Sequence, residues 1–292
     1  MHCRVFLHLS KCGGITVKRI RVSRITVYVS AMILGLVATL PIYWMILTSL
    51  LPTSKLFLDT PVFFPSFDYF EAYRELSTEI PIIKWLVNTG FIAFGCTLCS
   101  LLIAIFAAYA LSRRRFRGKG LVSFVLFATQ MLPEALLLIP LYSLFIGLGL
   151  INNLYGLILA NTAFVMPIIV WILKGAIDSV PYELEEAATI DGCNLFTIQR
   201  KIVWPLIAPS IVASIVMAFF HAWNEYLFAT TFILDPEKRP ASTGLATLLG
   251  ELATPLDRVM SAAVIYTLPP LIFFLLIQKR IVSGLASGSV KG

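Results

Sequence analysis

The sequence of residues 178–205 is DSVPYELEEAATIDGCNLFTIQRKIVWP, and it separates two strongly apolar segments. Its local chemistry predicts a helix, a turn and a second helix. Asp178 or Ser179 can cap the first helix, and the glutamates that follow place negative charge near the positive end of its dipole. Asp191–Gly192 is expected to form the turn, because glycine takes positive φ readily. Asn194 can then cap the second helix.

The second helix of this segment is predicted to be amphipathic. Leu195, Ile198 and Ile202 fall on one face at spacings of three and four residues. Pro205 is expected to end the helix before the next apolar segment. The partly apolar exposed side can be held by a protein partner or can lie on lipid headgroups, and the residues alone leave both interpretations open.

The composition around this segment is that of a membrane protein. The chain has 292 residues, of which 58% are hydrophobic and 13% are charged, and its mean hydropathy is +0.87. Soluble domains are roughly 45–50% apolar and about 25% charged. A chain this apolar cannot cover its surface with polar groups in water. The composition also excludes a disordered, collagen-like or disulfide-rich secreted chain.

Six segments are long enough, or nearly so, for the roughly 20 apolar residues that cross a bilayer. They are residues 25–50, 86–111, 121–144, 154–173, 206–228 and 259–277. The sequence therefore predicts an all-α membrane protein with six transmembrane helices. The first apolar run is too long for a signal peptide and is interpreted as a retained span. Prolines within several spans slightly favour a transporter, since a bundle or wet cavity can satisfy the carbonyls that they free.

The distribution of basic residues predicts the orientation. Most of the 23 lysines and arginines lie in segments on one side of the predicted spans, namely residues 1–24, 113–119, 174–201 and 279–292. Cytoplasmic segments of membrane proteins carry this excess. We therefore expect a basic cytoplasmic tail at 1–24, a six-helix domain at 25–278 with a cytoplasmic loop at 175–205, and a cytoplasmic tail at 279–292. The net charge of +7 is then explained by topology, without nucleic acid, and residues 113–119 are interpreted as charges that face anionic lipid.

The sequence offers no catalytic or cofactor-binding motif. It has no G-x-x-x-x-G-K-[ST] phosphate loop, no Ser/His/Asp arrangement and no metal triad. We expect no enzyme activity, no cofactor and no metal, so any ATP hydrolysis would belong to another polypeptide. Cys96 and Cys99 form a C-x-x-C inside an apolar run and are interpreted as helix-packing residues.

Three polar residues lie within or at the edge of predicted spans. Glu134, Asn224 and Glu225 are expected in the outer half of the bilayer. Polar groups at that depth usually face a bundle interior or water. They can line a translocation cavity or its outer gate, or they can mark the outer rim of the membrane.

Several motifs together resemble a known family. Glu186-Ala187-Ala188, followed by Asp191-Gly192, Ile202 and Pro205, is similar to the E-A-A…G…I-x-L-P loop of permease subunits of bacterial ABC importers. Further similarities, to the second membrane subunit of maltose- and glycerol-phosphate-type systems, extend over residues 25–292. They lie at Asn88-Thr-Gly, Ala107–Arg113, Ile139–Tyr142, Leu148–Asn153, Trp223–Tyr226 and the C-terminal Gly284–Gly292. Trp204 and Cys193 depart from the leucine and alanine usual in the family.

The resemblance implies a type I ABC importer permease fold with both termini in the cytoplasm. It implies a subunit that translocates a sugar or sugar derivative across the cytoplasmic membrane by alternating access, with ATP–Mg bound and hydrolysed by a cytoplasmic ABC ATPase dimer. The other implied partners are a second permease subunit, an extracytoplasmic solute-binding protein, membrane lipid and the carbohydrate.

In the family the loop is a coupling helix that sits in a cleft of the ATPase. The resemblance carries this role to residues of the first helix and the turn, namely Glu186, Ala187, Ala188, Asp191 and Gly192. The C-terminal tail is a second candidate contact. A proton-coupled secondary transporter with Glu134 and Glu225 as proton carriers is the alternative, and a membrane scaffold is the third interpretation.

Overall fold

The structure is a computed structural model that describes residues 24–57, 60, 62–65, 69–250 and 254–288. Helix accounts for 81% of it, and the described residues contain no strand. The all-α prediction is confirmed. The predicted basic tail lies outside the described residues apart from Arg24, and the predicted C-terminal tail is described as far as residue 288, where it continues the last helix.

The chain is built from long apolar helices joined by short ones. In order they are α1 (Arg24–Ser49), α2 (Thr53–Leu56), α3 (Glu71–Glu79), α4 (Ile82–Arg113), α5 (Lys119–Thr129), α6 (Glu134–Gly147), α7 (Leu154–Asp178), α8 (Glu183–Ile190), α9 (Leu195–Ile198), α10 (Trp204–Leu206), α11 (Ala208–Trp223), α12 (Leu227–Phe232), α13 (Ala241–Gly250) and α14 (Leu256–Gly288). The described residues divide into two compact units between residues 44 and 45, so the first contains most of α1 and the second contains the end of α1 and the other helices.

Four of the described helices, α1, α4, α7 and α14, are long and apolar enough to cross a membrane as continuous helices. The other two predicted spans are broken. α5 and α6 meet at an angle of 104°, and the helical segment Leu195–Leu206 meets α11 at 82°. The described residues therefore hold four continuous candidate spans, or six if each bent pair counts as one.

The break between α5 and α6 has a local cause. Pro133 precedes α6 and has an extended backbone with ψ of 128°. A proline has no N–H to continue a helix and disfavours helical geometry in the residue before it. The predicted span over residues 121–144 is therefore present as a bent pair of apolar helices, broken at one of the prolines within it.

The core of the second unit forms where α4 packs on α7 and α11. Ala93, Ala104 and Ala108 of α4 are fully buried in it. Small side chains of this kind let helix backbones approach closely, which is how membrane helices gain packing energy. Cys96 is buried among them, as predicted for a packing residue, whereas Cys99 is exposed.

The beginning of α14 is fastened to the segment that contains α2 and α3. The Asp257 carboxylate accepts hydrogen bonds from Thr53 Oγ1 at 2.7 Å and from the Tyr69 hydroxyl at 2.5 Å. Arg258 forms an ion pair with Glu75 of α3. Burial, together with the hydrogen bond to Asp257, raises the pKa of Tyr69 above its usual range. These contacts hold the connection between α1 and α4 against the last helix.

Candidate functional site

The segment between α7 and α11 folds as a short helix, a turn and further short helices, as the sequence predicts. The predicted cap of α8 is wrong, however. Tyr182 takes the N-cap position and makes no side-chain hydrogen bond. Asp178 is the last residue of α7, and its carboxylate accepts hydrogen bonds from Ser112 and Lys174 instead. The Ser179 hydroxyl donates to the backbone carbonyl of Ala176, within the end of α7.

The turn after α8 has the predicted geometry. Gly192 has φ of +81°. The backbone N–H groups of Gly192 and Cys193 donate to the carbonyls of Thr189 and Ala188, at 3.0 and 2.9 Å. This pair of hydrogen bonds is the Schellman motif, which satisfies the carbonyls at a helix C-terminus. Asn194 Oδ1 then accepts a hydrogen bond from Thr197 N at 2.9 Å, which confirms that Asn194 caps α9.

The helical segment continues past Pro205 before it bends. Residues Gln199–Val203 form a π-helical turn, and Pro205 lies near the beginning of α10. Pro205 is thus in the last turn of the helical segment Leu195–Leu206, which ends one residue beyond the predicted end. The 82° bend falls at Ile207, between α10 and α11.

The five predicted coupling residues divide between two faces of this segment. Ala188 is buried against the helix core. Glu186, Ala187, Asp191 and Gly192 are exposed. The structure therefore places four of the five residues on a surface and gives the fifth a packing role.

Large apolar side chains of the same segment are also exposed. Ile190 is 87% exposed. Its exposed apolar or aromatic neighbours along the segment are Tyr182, Leu184, Leu195 and Phe196. We call these five side chains, together with Glu186 and Ala187, the α8 surface. Exposed apolar patches of this kind usually mark a contact with a partner or with lipid.

The sequence interpretation missed a buried cluster beneath the α8 surface. Glu185 is only 3% exposed. Its carboxylate accepts hydrogen bonds from Arg113 Nε and from the Tyr109 hydroxyl of α4, both at 2.7 Å. Arg113 is thus paired inside the protein, unlike the lipid-facing charge predicted for residues 113–119. No local sequence signal identifies this pair, because Arg113 and Glu185 are 72 residues apart in the chain.

A cavity of about 290 Å³ borders this cluster. Tyr109, Arg113 and Glu185 line it together with Tyr182 and Ile198. The cavity therefore lies between the end of α4 and the segment of α8 and α9. The side chains of Tyr109 and Arg113 cross from α4 to Glu185 of α8 beside it.

The three polar residues predicted at membrane depth lie around the end of α11. The Glu225 carboxylate accepts hydrogen bonds from the backbone N–H groups of Phe228 and Ala229, at 2.6 and 3.0 Å. Glu134 begins α6. Asn224 is exposed, and its Nδ2 donates to the Phe220 carbonyl at 3.0 Å. Its Oδ1 is 3.4 Å from the Tyr266 hydroxyl, which donates to the Trp223 carbonyl at 2.9 Å. Asn224 and Glu225 are therefore neighbours at the end of α11, and the Glu225 carboxylate stabilises the first turn of α12.

The chain matches, over residues 100–287, the model of the family described as binding-protein-dependent transport system inner membrane component. The chain belongs to this family. The resemblance drawn from the loop motif is thereby confirmed. Membership in a family of inner-membrane components agrees with the several apolar helices and indicates a multi-pass membrane protein.

Curated relatives of this inner-membrane component are sugar ABC transporter permeases. The sulfoquinovosyl glycerol transport system permease protein SmoH of Agrobacterium fabrum is 32% identical, over 91% of this chain and 93% of SmoH. The trehalose/maltose transport system permease protein MalG of Thermococcus litoralis is 32% identical, over 92% of this chain and 97% of MalG. The diacetylchitobiose uptake system permease protein DasC of Streptomyces coelicolor is 30% identical, over 94% of this chain and all of DasC.

Solved structures share the fold of this inner-membrane component. One chain of a bacterial ABC transporter involved in the import of the acidic polysaccharide alginate superposes with a TM-score of 0.76 at 24% identity. The superposition covers 90% of the present chain and 99% of the alginate transporter chain. The fold is therefore that of an ABC importer permease.

Proposed function

We propose that this chain is the permease subunit of an ATP-binding cassette importer that translocates a sugar or sugar derivative across the cytoplasmic membrane. Alternating access is driven by ATP hydrolysis in partner subunits, which bind ATP–Mg. Six spans, with each bent helix pair counted as one, and cytoplasmic termini complete the topology. The sugar permeases among the relatives support the substrate class.

The α8 surface is the observation that carries this proposal. Apolar side chains and the carboxylate of Glu186 are presented together on a helix whose end is fixed by a hydrogen-bonded turn. A cleft that is apolar at its base and basic at its rim would match this surface. A cytoplasmic ABC ATPase dimer is the partner proposed to supply that cleft, so Glu186, Ala187, Asp191 and Gly192 contact it while Ala188 packs α8 from behind.

The other partners follow from the same proposal. A second permease subunit completes the translocation path, an extracytoplasmic solute-binding protein delivers the carbohydrate, and membrane lipid surrounds the apolar helices. Glu134, Asn224 and Glu225 border the path near its outer end. Asn224 is the exposed residue among the three, so its carboxamide is the group proposed to meet solute hydroxyls.

Uptake in proteoliposomes tests this function. The chain would be reconstituted with its genomic partner permease, the ATPase and the binding protein, and radiolabelled sugars would be supplied outside. Uptake that needs both internal ATP and the binding protein is expected. Uptake that needs only a proton gradient would instead indicate the proton-coupled secondary transporter, and no uptake under either condition would favour a scaffold.

A further inference from the structure

The last turn of α4 is joined to two different elements by neighbouring side chains. Ser112 Oγ donates to the Asp178 carboxylate at the end of α7, at 2.5 Å. The next residue, Arg113, contacts the beginning of α8 and the link that leads to it. Because α4 packs on α7 and α11, this turn connects α8 to the centre of the helix core.

Arg113 makes three separate contacts with the α8 region. Its Nε donates to Glu185 Oε1 at 2.7 Å, and its Nη2 donates to the backbone carbonyl of Val180 at 2.6 Å. The guanidinium also lies 5.6 Å from the centre of the Tyr182 ring. Only arginine has a planar fork of donors that can serve a carboxylate and a carbonyl at once, whereas lysine is a point charge.

The Glu185 carboxylate has both oxygens occupied. Tyr109, one helical turn before Arg113, donates from its hydroxyl to Oε2 at 2.7 Å. The Arg113 and Glu185 side chains are 12% and 4% exposed. A buried charge pair with its hydrogen bonds satisfied holds its geometry, because moving one partner leaves the other unpaired in a place shielded from water.

We propose that Arg113, Glu185 and Tyr109 form a latch that passes movement of α8 to α4. The inference rests on the proposed function, in which the ATPase displaces α8. Around the cavity beneath α8 the latch bridges α4 and α8 directly, so a displacement of α8 carries the end of α4 with it. These three are positioning residues, since they lie beneath the α8 surface and are not part of it.

The test is the ratio of sugar transported to ATP hydrolysed, measured in proteoliposomes that hold the complete importer. Arg113→Lys keeps the charge but loses the fork, and the ratio is expected to fall roughly tenfold, the scale of losing one hydrogen bond to a charged group. Association with the ATPase is expected to be unchanged. Although Arg113 lies over the Tyr182 ring of the α8 surface, Glu186, Ala187 and Ile190, which carry the proposed contact, are unaltered. Arg115→Lys, at an exposed neighbour, is the matched control and is expected to transport normally.

Two further variants guard against a folding defect. Glu185→Gln keeps the shape of the latch without its charge and is expected to lower the ratio as Arg113→Lys does. The charge exchange Arg113→Glu with Glu185→Arg is expected to recover part of the ratio lost in Arg113→Glu alone. A wild-type ratio in both Arg113→Lys and Glu185→Gln would overturn the latch. A wild-type chain that never associates with the ATPase would overturn the proposed function instead.

Discussion

The carboxylate of Glu225 lies 2.6 Å from the backbone nitrogen of Phe228 and accepts its hydrogen bond, so the Glu225 side chain caps the beginning of α12. It also accepts the N–H of Ala229 at 3.0 Å. A carboxylate in this position satisfies donors that have no partner within the helix and stabilises the positive end of the helix dipole. Ser242 of α13 donates to the backbone carbonyl of Glu225, which fixes the same junction from the other side.

The cap predicts a stability effect at Glu225. Glu225→Ala is expected to destabilise the protein by about 1 kcal/mol, as for the loss of other helix caps, whereas Glu225→Gln keeps one acceptor and should lose less. Thermal unfolding in detergent measures both. Glu225→Ala with unchanged unfolding but abolished sugar uptake would contradict the cap and assign Glu225 to the translocation path.

The turn after α8 predicts a difference between two substitutions of Gly192. A Cβ at this position would have no atom within 4 Å, so a substitution meets only the conformational cost of φ at +81°. Asparagine tolerates that region, but a β-branched residue does not. Gly192→Asn is expected to keep uptake, and Gly192→Val is expected to lose most of it while still reaching the membrane. Equal uptake by the two variants, at equal membrane levels, would show that the turn does not set the position of α8.

The contact between α4 and α13 predicts overpacking at Gly244. A Cβ there would lie 2.2 Å from Cε3 of Trp85. Gly244→Ala is expected to destabilise the protein by about 1–3 kcal/mol, because the indole ring or a helix must shift. Gly90→Ala in α4 is the matched control. Its Cβ meets nothing within 4 Å, and it is expected to stabilise by roughly 0.5–1 kcal/mol. Thermal unfolding of both variants checks this, and a Gly244→Ala protein as stable as Gly90→Ala would disprove the close contact.

The raised pKa of Tyr69, which is bonded to the beginning of α14, predicts that the stability of the folded protein depends on pH. Burial and Asp257 raise the pKa of Tyr69 in the folded protein, while the unfolded chain ionises it near pH ~10. The contribution of Tyr69 to the free energy of unfolding is therefore fully present below about pH 10. It is lost as the pH rises further, because the unfolded chain then releases the Tyr69 proton while the folded protein retains it. The difference in unfolding temperature between wild type and Tyr69→Phe should shrink from about pH 8 to about pH 10.5. A difference that stays constant over this range would show that Tyr69 is not held neutral by its surroundings.

Sequence reasoning succeeded where the determinants are local. The Gly192 turn and the Asn194 cap follow from a few consecutive residues, and both are confirmed. The prediction failed where a side chain is bonded to a residue far away in the sequence. Arg113 and Glu185 are 72 residues apart, and nothing in either neighbourhood identifies the other. The Glu225 cap was missed because the start of α12 at Leu227 was not predicted, and the apolar surroundings of Glu225 directed attention to a cavity or the membrane rim.

The contact made by the α8 surface tests the proposed coupling most directly. A photo-crosslinking amino acid would replace Ile190, which is 87% exposed, in the assembled importer. A second crosslinker at Ile139 of α6, which is 78% exposed, is the matched apolar control. The products would be identified by mass spectrometry. Crosslinks from position 190, but not from position 139, to a subunit that carries a G-x-x-x-x-G-K-[ST] phosphate loop are expected. Crosslinks from position 190 that reach only lipid would contradict the coupling role of α8.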